Sequence, residues 1–224
     1  MKQYDVVIVG AGPAGGQLAR ELSEKGYDVL VINKEMEIGE PIYSSALVPA
    51  ELMTDFKLPS KIACRSARSI SIFGPTESIS TKFNRTVIYT INFKRLKKYL
   101  LHEAIKKGAK TIIGTTVHSP ILKGGKIIGV KYTGFEGNGE AYGKVVVDAS
   151  GPDGIIASQL GLRKIKEKGF SIALEFLMEN LKLEGSGNRM NLYAGSQFIP
   201  SGYAWILPTK RDELRWELVG CLIP

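Results

Sequence analysis

The chain has 224 residues, 44% hydrophobic and 23% charged, with net charge +8 and two cysteines. This is globular composition, long enough to bury a sizeable core as one large domain or one and a half, and no apolar run approaches a membrane span. Cys64 and Cys221 make neither a disulfide framework nor a metal spacing and read as buried thiols in a reducing cytoplasm. The basic residues are scattered, as in Lys94-Arg95 and Lys106-Lys107, with no nucleic-acid motif. A solvated basic surface is therefore the default, and weak contact with an anionic membrane surface is the functional alternative. A first strand starting at about residue 4 leaves no room for a secretory signal.

Asp5-Val6-Val7-Ile8-Val9 is a short β-branched run, the pattern of a strand buried on both faces. It leads into Gly10-Ala11-Gly12-Pro13-Ala14-Gly15, a G-x-G-x-x-G pattern. A helix follows, with Ala14, Leu18 and Leu22 on one stripe and Gly26 as its stop. Residues 27–32 form a second buried strand. A bare G-x-G-x-x-G is a weak signal, because glycines also serve ordinary turns. At a strand end, opening a helix inside a βαβ unit, it marks a dinucleotide site. Gly10 makes the tight turn, Gly12 admits a pyrophosphate to the backbone, and Gly15 lets helix and strand pack closely. The helix opens at Pro13, and the amides of its start, Ala14 and Gly15, meet the phosphate charge. Where a carboxylate normally takes the ribose hydroxyls stands Asn33, whose amide can hydrogen-bond without the charge-assisted strength. Lys34 beside it either suits a 2′-phosphate or is solvated.

Residues 36–60 read as a loop with a short helix that Pro49 opens. Runs at 69–73 and 78–83, separated by Gly74-Pro75-Thr76, predict a hairpin, and 87–91 another strand. The spacing of Leu96, Leu100 and Ala104 predicts an amphipathic helix over 96–107 closed by Gly108, followed by a strand at 110–116. From 117 to 148 the period changes to two, which predicts a three-stranded meander. Its last strand, around Lys144-Val145-Val146-Val147, is apolar enough to enter the parallel sheet. That strand delivers Asp148-Ala149-Ser150-Gly151 at its carboxyl end, where open α/β sheets bind ligands. A short helix at 155–160 follows. Four further runs, 170–178, 190–194, 203–207 and 214–220, read as successive antiparallel strands of a second layer.

The whole resembles the geranylgeranyl reductase family of FAD-dependent enzymes with a hydroxylase-type fold. Three stretches carry the likeness: Asp5 to Gly15 with Ala19 and Gly26, the turn Asp148-Ala149-Ser150-Gly151, and Pro200-Ser201-Gly202-Tyr203-Ala204-Trp205-Ile206-Leu207-Pro208. The last is similar to that family's P-x-G-Y-x-W-x-F-P segment. Ile38-Gly39-Glu40-Pro41 and the helix from Leu96 to Ala109 also fall where the family has them. The resemblance implies an α/β fold: a Rossmann-like FAD-binding parallel sheet with β-meander over 1–164, with an excursion at 61–92 toward the substrate side, plus a partial antiparallel substrate domain over 165–224. It places Ser44, Ser45, Leu47 and Val117 at the cofactor together with Gly10, Gly12, Pro13, Ala14, Gly15, Asn33, Lys34, Asp148 and Gly151. Tyr203 and Trp205 fall at the substrate.

Four departures stand out. Asn33 replaces a Glu, Ser44 stands where many archaeal-type members have a cysteine, and Phe93 takes the place of an arginine for which Lys94 or Arg95 could substitute. The family's later G-D-x-x-G motif, if it exists here, falls beyond Pro224, so the chain looks like the amino-terminal part of a member.

The implied reaction is reduction of isolated carbon–carbon double bonds in geranylgeranyl chains of lipid precursors, with hydride from reduced flavin N5 and electrons from NAD(P)H or a ferredoxin-like donor. An unactivated alkene offers no polar handle, so the site should be an apolar channel, which Tyr203 and Trp205 on one strand face could wall. From spacing alone they would simply fill a half-buried sheet. No general acid can be named, since His102 and His118 have no companion carboxylate in motif spacing. The alternatives are a flavin monooxygenase of the same fold, or a truncated, non-catalytic nucleotide-binding remnant. The expected setting is cytoplasmic, peripheral to a membrane, with no nucleic-acid partner.

Overall fold

The computed structural model describes residues 2–40, 44, 46–163, 171–179, 188–200, 202–208 and 213–221, with side chains at all of these except 171–172, 177–179, 207–208 and 213–221. In chain order the first elements are β1 (Gln3–Val9), α1 (Pro13–Glu24), β2 (Val29–Ile32), β3 (Leu47–Pro49), α2 (Ala50–Asp55), β4 (Ala63–Ala67), β5 (Ser69–Phe73), β6 (Ser78–Lys82) and β7 (Ile88–Ile91). Then come α3 (Phe93–Lys106), β8 (Lys110–Ile112), β9 (Thr116–Lys123), β10 (Lys126–Gly134), β11 (Gly137–Asp148) and α4 (Ile155–Gln159). The last are β12 (Ser171–Glu179), β13 (Arg189–Ala194), β14 (Gly202–Pro208) and β15 (Glu213–Cys221). The chain divides into two compact units, Met1–Ile42 with Lys94–Ile165, and Tyr43–Phe93 with Lys166–Pro224.

The first unit is built on a six-stranded sheet in the order β8-β2-β1-β11-β10-β9. β1 runs parallel to both β2 and β11, and β9, β10 and β11 form the antiparallel meander whose last strand re-enters beside β1. The alternation of strand side chains explains why β1 is apolar without a break from Val6 to Val9. Val6 and Ile8 face Ala19 of α1 and Leu101 and Ala104 of α3. Val7 and Val9 face Val117, Val130 and Ala141 of the meander and Ile156 of α4. With both faces covered from Val6 to Val9, a polar residue there would be buried without a partner. α3 buries Leu96, Leu100, Leu101 and Ala104, the four-residue spacing that predicted it. The strand expected over 110–116 ends at Ile112 instead, because the chain turns there to lay Gly114 N–H on Glu35 O and Thr115 N–H on Asn33 O.

The second unit holds a six-stranded sheet, β12-β15-β14-β13-β5-β6, and a three-stranded sheet, β3-β7-β4. The four late strands are antiparallel as predicted, β13, β14 and β15 pairing in succession, but β12 lies beside β15 rather than β13, and β13 pairs in parallel with β5. The hairpin β5–β6 thereby extends the same sheet. β3 and β4 have no counterpart in the sequence reading, and Cys64 on β4 is half-buried rather than buried. The side chain of Cys221 lies outside the described residues. Among the described residues no helix is long and apolar enough to cross a membrane.

Candidate functional site

The turn from β1 into α1 is tight because its glycines are pressed by backbone. Gly10 has φ +101°, and a Cβ built on it would lie 2.5 Å from Ala149 O. Its N–H donates to Ile32 O at 2.8 Å, and a Cβ on Gly15 would strike Gly10 O. Gly12 is the opposite case, with no heavy atom within 4 Å of the place a Cβ would take. α1 starts at Pro13 with no side-chain cap and no acidic residue in its first turn. The open space at Gly12 thus adjoins a helix start that has no side-chain cap.

Asn33, at the end of β2, is 4% exposed. Its Oδ1 accepts the Ala11 N–H at 2.9 Å and its Nδ2 donates to Glu35 O at 3.2 Å. The amide therefore ties the glycine turn to the strand end. One oxygen lone pair and one N–H remain beyond these two bonds. Lys34 is half-exposed and pairs with Asp153 at 2.8 Å.

Asp148 leaves β11 in register with Val9, which places it beside the glycine turn. Both its oxygens are engaged. Oδ1 accepts Ser150 Oγ at 2.5 Å and Ser150 N–H at 3.2 Å, while Oδ2 accepts Ile156 N–H and Ala157 N–H, each at 2.9 Å. Burial pushes the carboxyl up, but the bonds from Ser150, Ala157 and Ile156 prevail and hold it below the usual carboxylate range. Asp148 is the anchor of α4. Gly151, at φ +70°, is exposed with open space around it. The sequence did carry a signal for this role, an Asp with a Ser two residues on, the pattern of an Asx turn.

The loop after Lys34 is pinned to the first turns of α3. Lys94 Nζ lies 2.9 Å from Glu37 Oε1 and 2.8 Å from Glu40 Oε1, and Lys98 Nζ lies 2.9 Å from Glu37 Oε1. Bonds from Lys98 and then Lys94 pull the Glu37 carboxyl down to about 2. Lys94, offered as a substitute for the missing arginine, is thus engaged by two carboxylates. Val117 contributes its side chain to the core behind β1.

In the second unit Ser44 Oγ accepts the Ala46 N–H at 3.0 Å, and Ser45 lies outside the described residues. Ala46 is buried at φ +57°, a left-handed turn that starts β3. Trp205 is 9% exposed and packs with Met190, Leu47, Ile88 and Leu192, whereas Tyr203, two residues earlier on the same face, is 42% exposed. Their ring centroids are 5.2 Å apart. The structure thus brings together Leu47 and Trp205, predicted from separate stretches. Trp205 Nε1 is buried with no hydrogen-bond partner among the described residues. His102 and His118 are both exposed. Among the described residues no cluster of His, Cys, Asp or Glu could hold a metal ion.

The open position at Gly12, the uncapped start of α1 and the close packing of Gly10 on Ala149 fit a dinucleotide diphosphate. Residues 5–164 match the family of FAD dependent oxidoreductases. Digeranylgeranylglycerophospholipid reductase of Haloferax volcanii is 33% identical over 95% of this chain and 52% of its own length. The protein of the same name from Methanocaldococcus jannaschii is 32% identical over 92% of this chain and 52% of its own length. The chain therefore spans about half the length of the curated relatives it matches. A geranylgeranyl bacteriochlorophyll reductase-like protein from Thermoplasma acidophilum superposes with a TM-score of 0.91 at 24% identity, covering 99% of this chain and 57% of that one, a likeness of fold.

Proposed function

Because the chain belongs to the FAD dependent oxidoreductase family, we propose that it reduces isolated carbon–carbon double bonds of geranylgeranyl chains in lipid precursors. The observation that carries the cofactor half of this reading is the uncapped helix start facing open space at Gly12. The substrate half rests on the names of the relatives and on Trp205 lying in one apolar cluster with Leu47.

Bound flavin supplies the hydride. The chain's own residues bind and orient it. Gly10, Gly12, Pro13, Ala14 and Gly15 receive the diphosphate, and Asn33 and Lys34 flank the adenosine ribose. Ser44, Ser45, Leu47 and Val117 complete the cofactor's surroundings, with Asp148 and Gly151 forming the turn beside the diphosphate. Tyr203 and Trp205 wall the polyprenyl channel and exclude water, which an unactivated alkene requires for alignment against the cofactor. The functional division is a cofactor domain over 1–164 and a substrate domain over 165–224, with 61–92 serving the substrate side. Electrons come from NAD(P)H or a ferredoxin-like carrier, at the cytoplasmic surface of a membrane.

The test is anaerobic and spectroscopic. The FAD-loaded protein is reduced chemically and mixed with a geranylgeranyl ether lipid. Reappearance of the oxidised flavin bands together with a saturated product supports the reading. A protein that cannot be loaded with FAD, or one reoxidised only by oxygen, would overturn it.

A further inference from the structure

The second unit carries an apolar row that crosses four strands and emerges at a sheet edge. Trp205 of β14 lies opposite Leu192 of β13, Leu192 lies beside Ile72 of β5, and Ile72 lies opposite Ile79 of β6. Side chains paired in register share a face, so the four stand in one line across three strand spacings, roughly 14 Å. Exposure rises along that line. Trp205 is 9% exposed, Leu192 is half-buried against it, Ile72 is 39% exposed and Ile79 is 64% exposed. The other side chains of β6 are Ser78, Ser80, Thr81 and Lys82. The next row on the same face, Met190 to Ile70 to Thr81, starts at a buried methionine and ends in a hydroxyl. Ile79 is therefore an isolated apolar side chain on a polar strand, joined in register to the buried Trp205 cluster.

We infer that Leu192, Ile72 and Ile79 are the track for the part of the polyprenyl chain that is not at the reacting centre, an inference that rests on the reading of Trp205 as a wall of the polyprenyl channel. Continuity with Trp205 carries it, because the row leads from that ring to solvent without a polar side chain in its path. Its width selects the occupant. A strip one side chain wide matches a single hydrocarbon chain. It is too narrow for a second copy of this protein, since a stable interface buries roughly 1,200 Å² or more. A chain with several isolated double bonds must also shift lengthwise to bring each of them to one reacting centre. Leu192, Ile72 and Ile79 permit this, because aliphatic side chains hold hydrocarbon by area and without direction, so they fix no register.

The experiment follows binding of a geranylgeranyl and of a geranyl glycerol ether to the protein as isolated, by tryptophan fluorescence. It compares the parent, Ile79→Thr and the double variant Ile72→Thr with Ile79→Thr. Threonine keeps the β-branched shape and Ile79 is exposed, so Ile79→Thr should unfold at the parent's temperature. Ile79→Thr should weaken the geranylgeranyl ether about fivefold and the double variant about twentyfold, from the apolar contact removed. The geranyl ether, with a chain half as long, should bind all three alike. Should the double variant unfold early, Ile79→Thr decides alone. Unchanged geranylgeranyl affinity in Ile79→Thr overturns the inference and leaves the channel reading intact. An equal loss for both chain lengths does the same, because the added length then makes no contact with the row. Failure of the parent to bind the geranylgeranyl ether overturns both readings. Loss of binding to phosphatidylglycerol vesicles, or of a dimer, in Ile79→Thr with both ethers bound as before shows that the edge meets a membrane or a second copy, and also overturns the inference.

Discussion

The side-chain oxygen of Asn33 accepts the backbone N–H of Ala11 at 2.9 Å, inside a site only 4% exposed. It holds the glycine turn in place before any ligand arrives. Asn33→Ala leaves the buried Ala11 N–H without a partner and should cost roughly 1–3 kcal/mol in a denaturant titration. Asn33→Asp keeps the acceptor but turns a carboxylate oxygen toward Glu35 O, so it should also lose stability while gaining a charged partner for the ribose. A stability unchanged in both variants would remove the tie from the account.

The glycines of the turn should separate into two kinds. Gly10→Ala forces a side chain onto a residue at φ +101° and into Ala149 O, so it should destabilise the free protein. Gly12 has φ −65° and free space, so Gly12→Ala should fold as the parent does. Its methyl group then occupies the approach of the diphosphate, and ADP binding should fall at an unchanged unfolding temperature. Normal ADP affinity in Gly12→Ala would show that the nucleotide does not enter there.

Asp148 contributes through α4. Its lowered pKa means the folded form binds its proton less readily than the unfolded chain does. Its stabilisation is therefore fully present above the ordinary carboxylate value and disappears as pH falls through the folded value. Asp148→Asn retains one acceptor oxygen and loses the charge, which should cost about 1.5–3 kcal/mol at neutral pH. The gap between variant and parent should close in acid, which denaturant titrations across that range would check.

Glu37 follows the same sign with a different origin. Lys98 and Lys94 pull it from 4.5 to about 2, so the clamp on the loop before residue 41 acts above 4.5 and fails as pH falls toward about 2. Glu37 and Lys98 are exposed and Lys94 is half-buried, so salt should weaken the clamp. Glu37→Gln should speed amide exchange over 35–40 at neutral pH and low salt. High salt or strong acid should erase the difference, and equal exchange at neutral pH would refute the clamp.

The first unit was legible because its signals are local. Val6 to Val9 between two covered faces leaves an uninterrupted apolar run, and Val145 to Val147 repeats that run at the strand that pairs with it. Pairing across long sequence distances was not legible. Nothing around Leu192 says that it lies beside Ile72, in parallel, 120 residues away in chain order. β4, Ala-Cys-Arg-Ser-Ala, lacks any alternation and is a strand only because β7 lies next to it. At the candidate site the sequence located Asn33 and Asp148 but not what they bind, because each is engaged by backbone N–H groups that every residue carries.

Trp205 tests where core ends and channel begins. Its ring packs with Leu47, Met190, Ile88 and Leu192, so Trp205→Ala should cost about 3–5 kcal/mol whatever its function. Trp205→Phe is more informative. Among the described residues the buried indole N–H has no partner, so removing it relieves an unmet donor and offsets the smaller ring. Stability should stay within about 1.5 kcal/mol of the parent, as for other near-conserving core swaps. If Trp205 also walls the polyprenyl channel, Trp205→Phe should bind FAD as the parent does yet reduce the geranylgeranyl lipid more slowly, because the narrower ring aligns the chain less firmly. Parent-like rates in Trp205→Phe and in Tyr203→Leu together would reduce both aromatics to sheet packing.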